Sequence, residues 1–211
     1  MNTNTLERTE PAIAGSIGLT ADAALQRLAT SDLEQARLYM DQTRYYVVGA
    51  TRGLSDAQWK FKPAPDRWSI LEIVEHMVAV QERVLGPLWE RLANAPASPS
   101  DRDYKQVDRI VLYQFPNRLN RFPSPEQPTG RWEPAVASAR LLKNYGRLGE
   151  YLESAPDLRQ RVLESPPLKA VSEGVFESMD GYQWLLAAAA HNERHTKQIL
   201  EVKADPSFPA A

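Results

Sequence analysis

Apolar and polar positions alternate with a helical period in four stretches of the chain. From Asp32 to Leu54, the apolar residues Leu33, Ala36, Met40, Val47 and Leu54 recur at spacings of three, four and seven, the repeat of one helix face. Glu34, Gln35, Arg37, Asp41 and Arg44 supply the opposing solvent face, and Ser31 or Asp32 is placed to cap the start. The second stretch opens on Trp68-Ser69-Ile70-Leu71-Glu72, where Ser69 and Glu72 have the spacing of a reciprocal capping box. Ile70, Ile73, Val74, Met77, Val80, Val84 and Leu88 then form a wide apolar stripe, closed by Pro96. Pro134 suits a first helical turn, and the third stretch runs from it to about Ala155 through Leu141, Tyr145, Leu148 and Leu152, stopping at Pro156. The fourth has Asp180 as N-cap and reaches about Ala204 through Trp184, Leu185, Ala188, His191, His195, Ile199 and Val202.

Prolines mark out the space between. Eight of the 16 fall from Pro87 to Pro134, so the link from the second helix to the third reads as a long, mostly irregular crossover with at most a short element around Val107 to Tyr113. Long connections of this kind inside a domain are usually functional or mobile. Leu54 to Pro65 reads as a short irregular connection pinned by Trp59 and Phe61. Nowhere do several alternating strands meet hairpin turns, which argues against a sheet-based fold. The pattern predicts an all-α protein, a four-helix bundle with a Pro-rich crossover between helices 2 and 3. Residues 1–20 read as a flexible arm and residues 21–211 as one domain.

Composition narrows the function classes. The 211 residues carry 43% hydrophobic and 25% charged side chains, with five Trp, eight Tyr and five Phe to pack, so the chain is globular. A net charge of -2 lacks the footprint of a nucleic-acid or anionic-membrane binder. The longest apolar run, Trp184 to Ala190, is far short of the roughly 20 residues that span a bilayer. The first 20 residues have no apolar segment of signal-peptide length, and a cytoplasmic location is the resulting expectation. Zero cysteine removes disulfide scaffolds, zinc fingers, iron–sulfur clusters and thiol nucleophiles together. Any metal site must therefore use His and carboxylates.

The chain has three histidines, His76, His191 and His195, each on a helix face that the pattern turns toward the core. His191 and His195 are four apart, so their rings lie along one helix face about 6 Å from each other, within reach of one ion. His76 follows Ile73 by three and precedes Val80 by four, bordering the second stripe. Packed stripe to stripe, the helices bring three imidazoles to one point. Neutral imidazoles buried without a cation would need partners for six ring nitrogens, a costly way to fill a core. Three imidazoles and no thiolate suit Zn, Ni, Fe or Cu better than Mg or Ca, and leave a position for water or substrate. A zincin motif is disfavoured, since Asn192 stands where that motif needs Glu, and Glu193 points elsewhere round the helix. Around the ligands, Glu72 shares the face of His76, although its place in the capping box is the simpler role. Glu75 reads as solvated. Gln198 lies on the ligand face, either bonding a bound water or filling core space. Arg118 and Arg121, beside Phe115 and Phe122 in the crossover, suit either an anion-recognising substrate rim or a solvated loop.

Two blocks give these features a family context. Trp59-Lys-Phe-Lys-Pro-Ala-Pro-Asp-Arg-Trp-Ser-Ile-Leu-Glu-Ile-Val-Glu-His76-Met, and far downstream Tyr182-Gln-Trp-Leu-Leu-Ala-Ala-Ala-Ala-His191-Asn-Glu-Arg-His195-Thr-Lys-Gln-Ile-Leu-Glu-Val, resemble the DinB/YfiT-like superfamily of metal-dependent enzymes over roughly residues 30 to 204. The resemblance implies an up-down-down-up bundle in which His76, His191 and His195 match a metal triad for nickel, zinc or iron. It also implies dimers formed through helix faces, and chemistry that includes transferases and an isomerase using low-molecular-weight thiols such as bacillithiol or mycothiol. Many relatives carry a His-Pro pair ahead of the last helix. Here the chain reads Glu164-Ser165-Pro166-Pro167, so no substrate role of that His carries over.

The resulting expectation is a divalent-metal-dependent enzyme of the thiol-transferase or hydrolase type, whose three-His site activates a water or an external thiol against a small electrophile. The alternative, from another class, is a non-catalytic stress-associated bundle with a vestigial or absent metal. Expected partners are a small-molecule substrate and a second copy of the chain, with neither nucleic acid nor membrane.

Overall fold

The computed structural model describes residues 31–122, 126–154 and 157–210; the arm expected over residues 1–20 lies outside them. Ser31 is extended, and its hydroxyl accepts from the Glu34 amide, starting α1 at Asp32–Thr51. Where an irregular connection was expected, Ser55 and Gln58 form a capping box for a short α2, Asp56–Lys60, which buries Trp59. A second box, Ser69 with Glu72, starts α3 at Ile70–Val80.

The single helix expected up to Pro96 is interrupted. After Val80 the backbone widens into a π turn, Gln81–Leu85, and α4 follows at Leu88–Ala93. Gly86 closes the wide turn by donating to Gln81 O at 3.0 Å, and a Cβ there would sit 2.7 Å from Glu82 O, so only glycine fits without a shift. Pro87 then has no N–H with which to continue the ladder. The crossover is more regular than the proline count suggests. Asp103 caps a three-turn α5, Tyr104–Gln114, whose Val107, Val111 and Leu112 are buried. The short element expected around Val107 to Tyr113 is this helix, extended at both ends and held by tertiary burial of its apolar face.

The third long helix, α6, spans Pro134–Ser154. A small antiparallel pair, β1 at Val162–Glu164 and β2 at Ser178–Asp180, flanks a short α7, Pro166–Val171. Asp180 and Gln183 form a third capping box, which starts α8 at Gly181–Lys203. The protein is thus all-α apart from this two-stranded sheet. No helix of the described residues is long and apolar enough to cross a membrane.

Helices α1, α3, α6 and α8 run up, down, down, up. Helices α1 and α8 are parallel and make the most extensive contact: Tyr182 donates to Gln35 near their starts at 2.9 Å, and Lys203 to Ala50 O near their ends at 3.0 Å. Helices α3 and α6 run the opposite way, since Ile70, Ala137 and Leu141 share a core cluster with Ile199 and Val202 at the end of α8. Leu85, Leu148 and Leu152 instead join Leu185 and Leu186 at its start. Between the two apolar clusters lies a buried polar layer that includes Thr43, His76, Gln81, Asn192, Glu193, His195 and Thr196. In α1 the buried face is rotated from the expected one. Gln35, assigned to solvent, is 4% exposed and satisfied by Tyr182, whereas Leu33 is 49% exposed.

Arg159 ties the starts of three helices together. It donates to Asp32 of α1 at 2.5 Å, Asp108 of α5 at 2.8 Å and Asp180 of α8 at 3.1 Å, with its guanidinium over the Tyr182 ring. Burial alone would lower its pKa, but these carboxylates raise it above the ordinary arginine value.

Candidate metal centre

His76 sits in the second turn of α3, and His191 and His195 sit one turn apart in the middle of α8. Antiparallel packing of these two helices brings the three rings together. His191 Nε2 lies 3.2 Å from His76 Nε2 and 3.1 Å from His195 Nε2, with ring centroids 4.4 to 5.2 Å apart. His76 and His195 are buried, and His191 is half-buried. Tetrahedral ligation at about 2.0–2.1 Å would separate nitrogens by roughly 3.3–3.4 Å, close to what is observed.

The outward nitrogens are held by acceptors. His76 Nδ1 lies 2.6 Å from the Glu126 carbonyl, and His195 Nδ1 lies 2.9 Å from Gln198 Oε1. An acceptor at Nδ1 places the proton there and leaves Nε2 with a bare lone pair. Burial lowers the His76 pKa from 6.5, against a raising effect of the Glu126 carbonyl. It holds His191 and His195 well below that value, helped by the neighbouring imidazoles and Arg194. Burial thus favours neutral rings, and the unprotonated Nε2 atoms of His76 and His195 both face His191 Nε2. This donor set suits a borderline divalent cation.

A loop of the crossover covers the cluster, and buried Glu75 anchors it. Its carboxylate accepts from Thr129 N at 3.0 Å, Thr129 Oγ1 at 2.8 Å and Gly130 N at 2.8 Å, with Arg131 Nε at 3.5 Å. Gly130 has φ +69, a left-handed conformation that aims its amide at the carboxylate and favours glycine. Burial would raise the Glu75 pKa, but these donors outweigh it and leave the group below the ordinary value. The loop thereby presents the Glu126 carbonyl to His76, while Arg83 holds the Glu126 side chain at 2.9 Å. On another side, the Trp68 ring lies 5.0 Å from the His76 ring.

The remaining candidates are distributed differently from expectation. Gln198 bonds a histidine ring rather than standing ready for a water. Glu72 serves the capping box and Lys62, through Ser69 N and Lys62 Nζ at 2.8 Å each, so both of its oxygens are engaged away from His76. Glu75, read as solvated, is 1% exposed. Of the two arginines read as a rim or a solvated loop, Arg118 donates to Glu201 with two bonds of 3.1 Å, and Arg121 is exposed. Arg194 fastens the crossover instead, donating to Asn117 O and, at 2.7 Å, to Asn120 O. Glu193 turns away from the cluster to Tyr39 at 2.6 Å and Lys197 at 2.8 Å. Sequence reading missed the Glu126 carbonyl and the Glu75 anchor. The only signal was Gly130 in a proline-rich loop, and it does not say which helix the loop reaches.

A family model for the DinB superfamily matches residues 39–199. The chain is similar to an uncharacterized protein, YuaE, of Bacillus subtilis (strain 168), with 25% identity over 167 residues that cover 77% of this chain and 94% of that protein. No solved structure matches it significantly.

Proposed function

The chain belongs to the DinB superfamily, and from that premise we propose that His76, His191 and His195 hold one divalent nickel, zinc or iron ion in an enzyme of the thiol-transferase or hydrolase type. The observation that carries the proposal is the approach of three Nε2 atoms in a largely buried site, at 3.1 and 3.2 Å from His191. Facing lone pairs repel unless a proton or a cation lies among them; burial opposes the charged ring, and the single proton of a neutral His191 can bridge only one of the two contacts. When bound, the cation lowers the pKa of an adjacent water or external thiol and so yields a nucleophile at neutral pH.

The chain's own residues do the rest. Glu126 and Gln198 fix two rings in the ligating tautomer, and the Glu75-anchored loop and Trp68 shield His76 from solvent. Half-buried His191 marks the side from which a small electrophile arrives. With no cysteine in the chain, any thiol comes as a cosubstrate. The proposal extends to a homodimer, for which α1 offers Leu38 and Tyr45, 51% and 74% exposed; sedimentation velocity reads that state.

Elemental analysis of protein purified without an affinity tag should find about one divalent ion per chain, lost in His191→Ala. Turnover of small electrophiles with and without bacillithiol, mycothiol or glutathione then separates the two chemistries. Activity that ignores thiol and vanishes with chelator selects hydrolysis. Absence of stoichiometric metal, or unchanged content in His191→Ala, defeats the enzyme reading and leaves a non-catalytic bundle.

A further inference from the structure

A cavity of ≈ 570 Å³ lies between the π turn of α3, the start of α4 and the middle of α6, and none of the three histidines lines it. Small-molecule sites occupy roughly 300–1,000 Å³. Leu85, Trp89 and Leu148 give it apolar wall, and Trp89 is fixed by stacking on Tyr151 with centroids 3.6 Å apart. Arg140, Lys143 and Arg147 also line it, at spacings that put all three cations on one side of α6.

Two of the three cations have no acidic partner among the described residues. Glu82 is the acidic side chain of the lining, and Arg140 holds it with bonds of 3.1 and 2.7 Å while Asn144 adds a third at 3.4 Å. Lys143 and Arg147 have no hydrogen-bond or ion-pair partner among the described residues. Like charges three and four residues apart weaken an isolated helix, so the α6 backbone gains nothing from them. A second observation is independent of charge. Gln81 also lines the cavity, is 5% exposed, and uses its Nε2 on Asn192 Oδ1 at 3.3 Å, yet its Oε1 is buried with no partner. An unpaired buried acceptor costs free energy that is recovered when a bound molecule supplies a donor.

We infer that this cavity is a binding site for a small organic anion that also carries a hydroxyl or N–H group, with its carboxylate or phosphate held by Lys143 and Arg147, its apolar body against Trp89 and Leu148, and its donor on Gln81 Oε1. The site stands apart from the histidines: Gln81 follows His76 by five residues, about 7–8 Å along the helix. Its existence therefore does not depend on whether those histidines hold a cation.

Isothermal titration of the full chain with 4-hydroxybenzoate, benzoate, phenyl phosphate, inorganic phosphate and benzylamine tests it, and 4-hydroxybenzoate should bind more tightly than benzoate because its hydroxyl can donate to Gln81 Oε1. Benzoate or phenyl phosphate should bind saturably at one site per chain, the tighter of the two identifying the head group. Benzylamine should not bind, and inorganic phosphate should bind more weakly than phenyl phosphate. The double variant Lys143→Gln/Arg147→Gln should weaken binding roughly tenfold, since each half-solvated ion pair is worth a few-fold. Lys143→Arg should retain it, and so should His191→Ala, which removes the candidate metal ligand while leaving the cavity intact. The inference is overturned if neither anion saturates at millimolar concentration, if the double variant binds as tightly as the parent while keeping its circular-dichroism spectrum, if benzylamine binds equally well, or if His191→Ala abolishes binding.

Discussion

Glu75→Gln removes one charge from a buried position without changing its shape. The native carboxylate accepts three hydrogen bonds from Thr129 and Gly130. Bonds to a charged acceptor are worth about 1.5–3 kcal/mol each. The amide of Gln keeps one oxygen, so it can retain the two Thr129 bonds only by turning its NH2 group toward the Gly130 N–H, or the reverse. Loss of at least one charge-assisted bond, with a donor facing a donor, amounts to about 2–4 kcal/mol. The cost falls first on the loop rather than on the whole fold, because Thr129 and Gly130 lie in a connection outside the helices. Native-state hydrogen exchange should show the Thr129 and Gly130 amides exchanging about 30- to 1,000-fold faster, the equivalent of that free energy. The same loop presents the Glu126 carbonyl to His76, at 2.6 Å, so metal affinity by chelator competition should fall about 10- to 100-fold. Amides that exchange at the parental rate would refute the anchor. Faster exchange with unchanged metal affinity would instead refute the link from anchor to ring.

Three further outcomes follow from the geometry. Gln198→Leu removes the acceptor at His195 Nδ1, and should cost about 10- to 100-fold in metal affinity; equal affinity would show that the ring needs no such partner. Arg159→Met leaves Asp108 and Asp180, 4% and 1% exposed, without their shared cation, and should destabilise by about 3–5 kcal/mol in urea denaturation; a loss below about 1 kcal/mol would mean that Arg102, which also reaches Asp180 at 3.2 Å, compensates for it. Burial would raise the Glu82 pKa, but Arg140 and Asn144 hold it below its ordinary value of 4.5. A depressed folded-state pKa gives stability that is present above the unfolded value and lost as pH falls through the folded one, so the advantage of the parent over Glu82→Gln should be full at pH 7 and fade below about pH 4. A difference that stays constant from pH 7 to 3 would contradict this.

Helix periods and caps were legible because they are local. Ser69 with Glu72, Pro134, and Asp180 mark the starts of their helices, and the structure begins those helices within a residue of the reading. The three histidines were legible for the same reason, since each sits on a stripe whose burial is dictated by its neighbours. Less local features were not. The π turn at Gln81–Leu85 keeps the apolar content of a helix while changing its hydrogen-bond spacing, so periodicity barely registers it, and α5 is held by burial against α8 in spite of its proline flanks. A charged residue with a distant partner was not legible: Glu75 looks like a surface group until the chain returns 54 residues later to meet it. The sequence by itself determined that three imidazoles would turn inward on two helices, because hydrophobic period is a property of adjacent turns. Only the tertiary structure decided what holds each ring, what covers His76 and where unpaired charge gathers, because hydrogen-bond and ion-pair partners are chosen by which distant segments pack together.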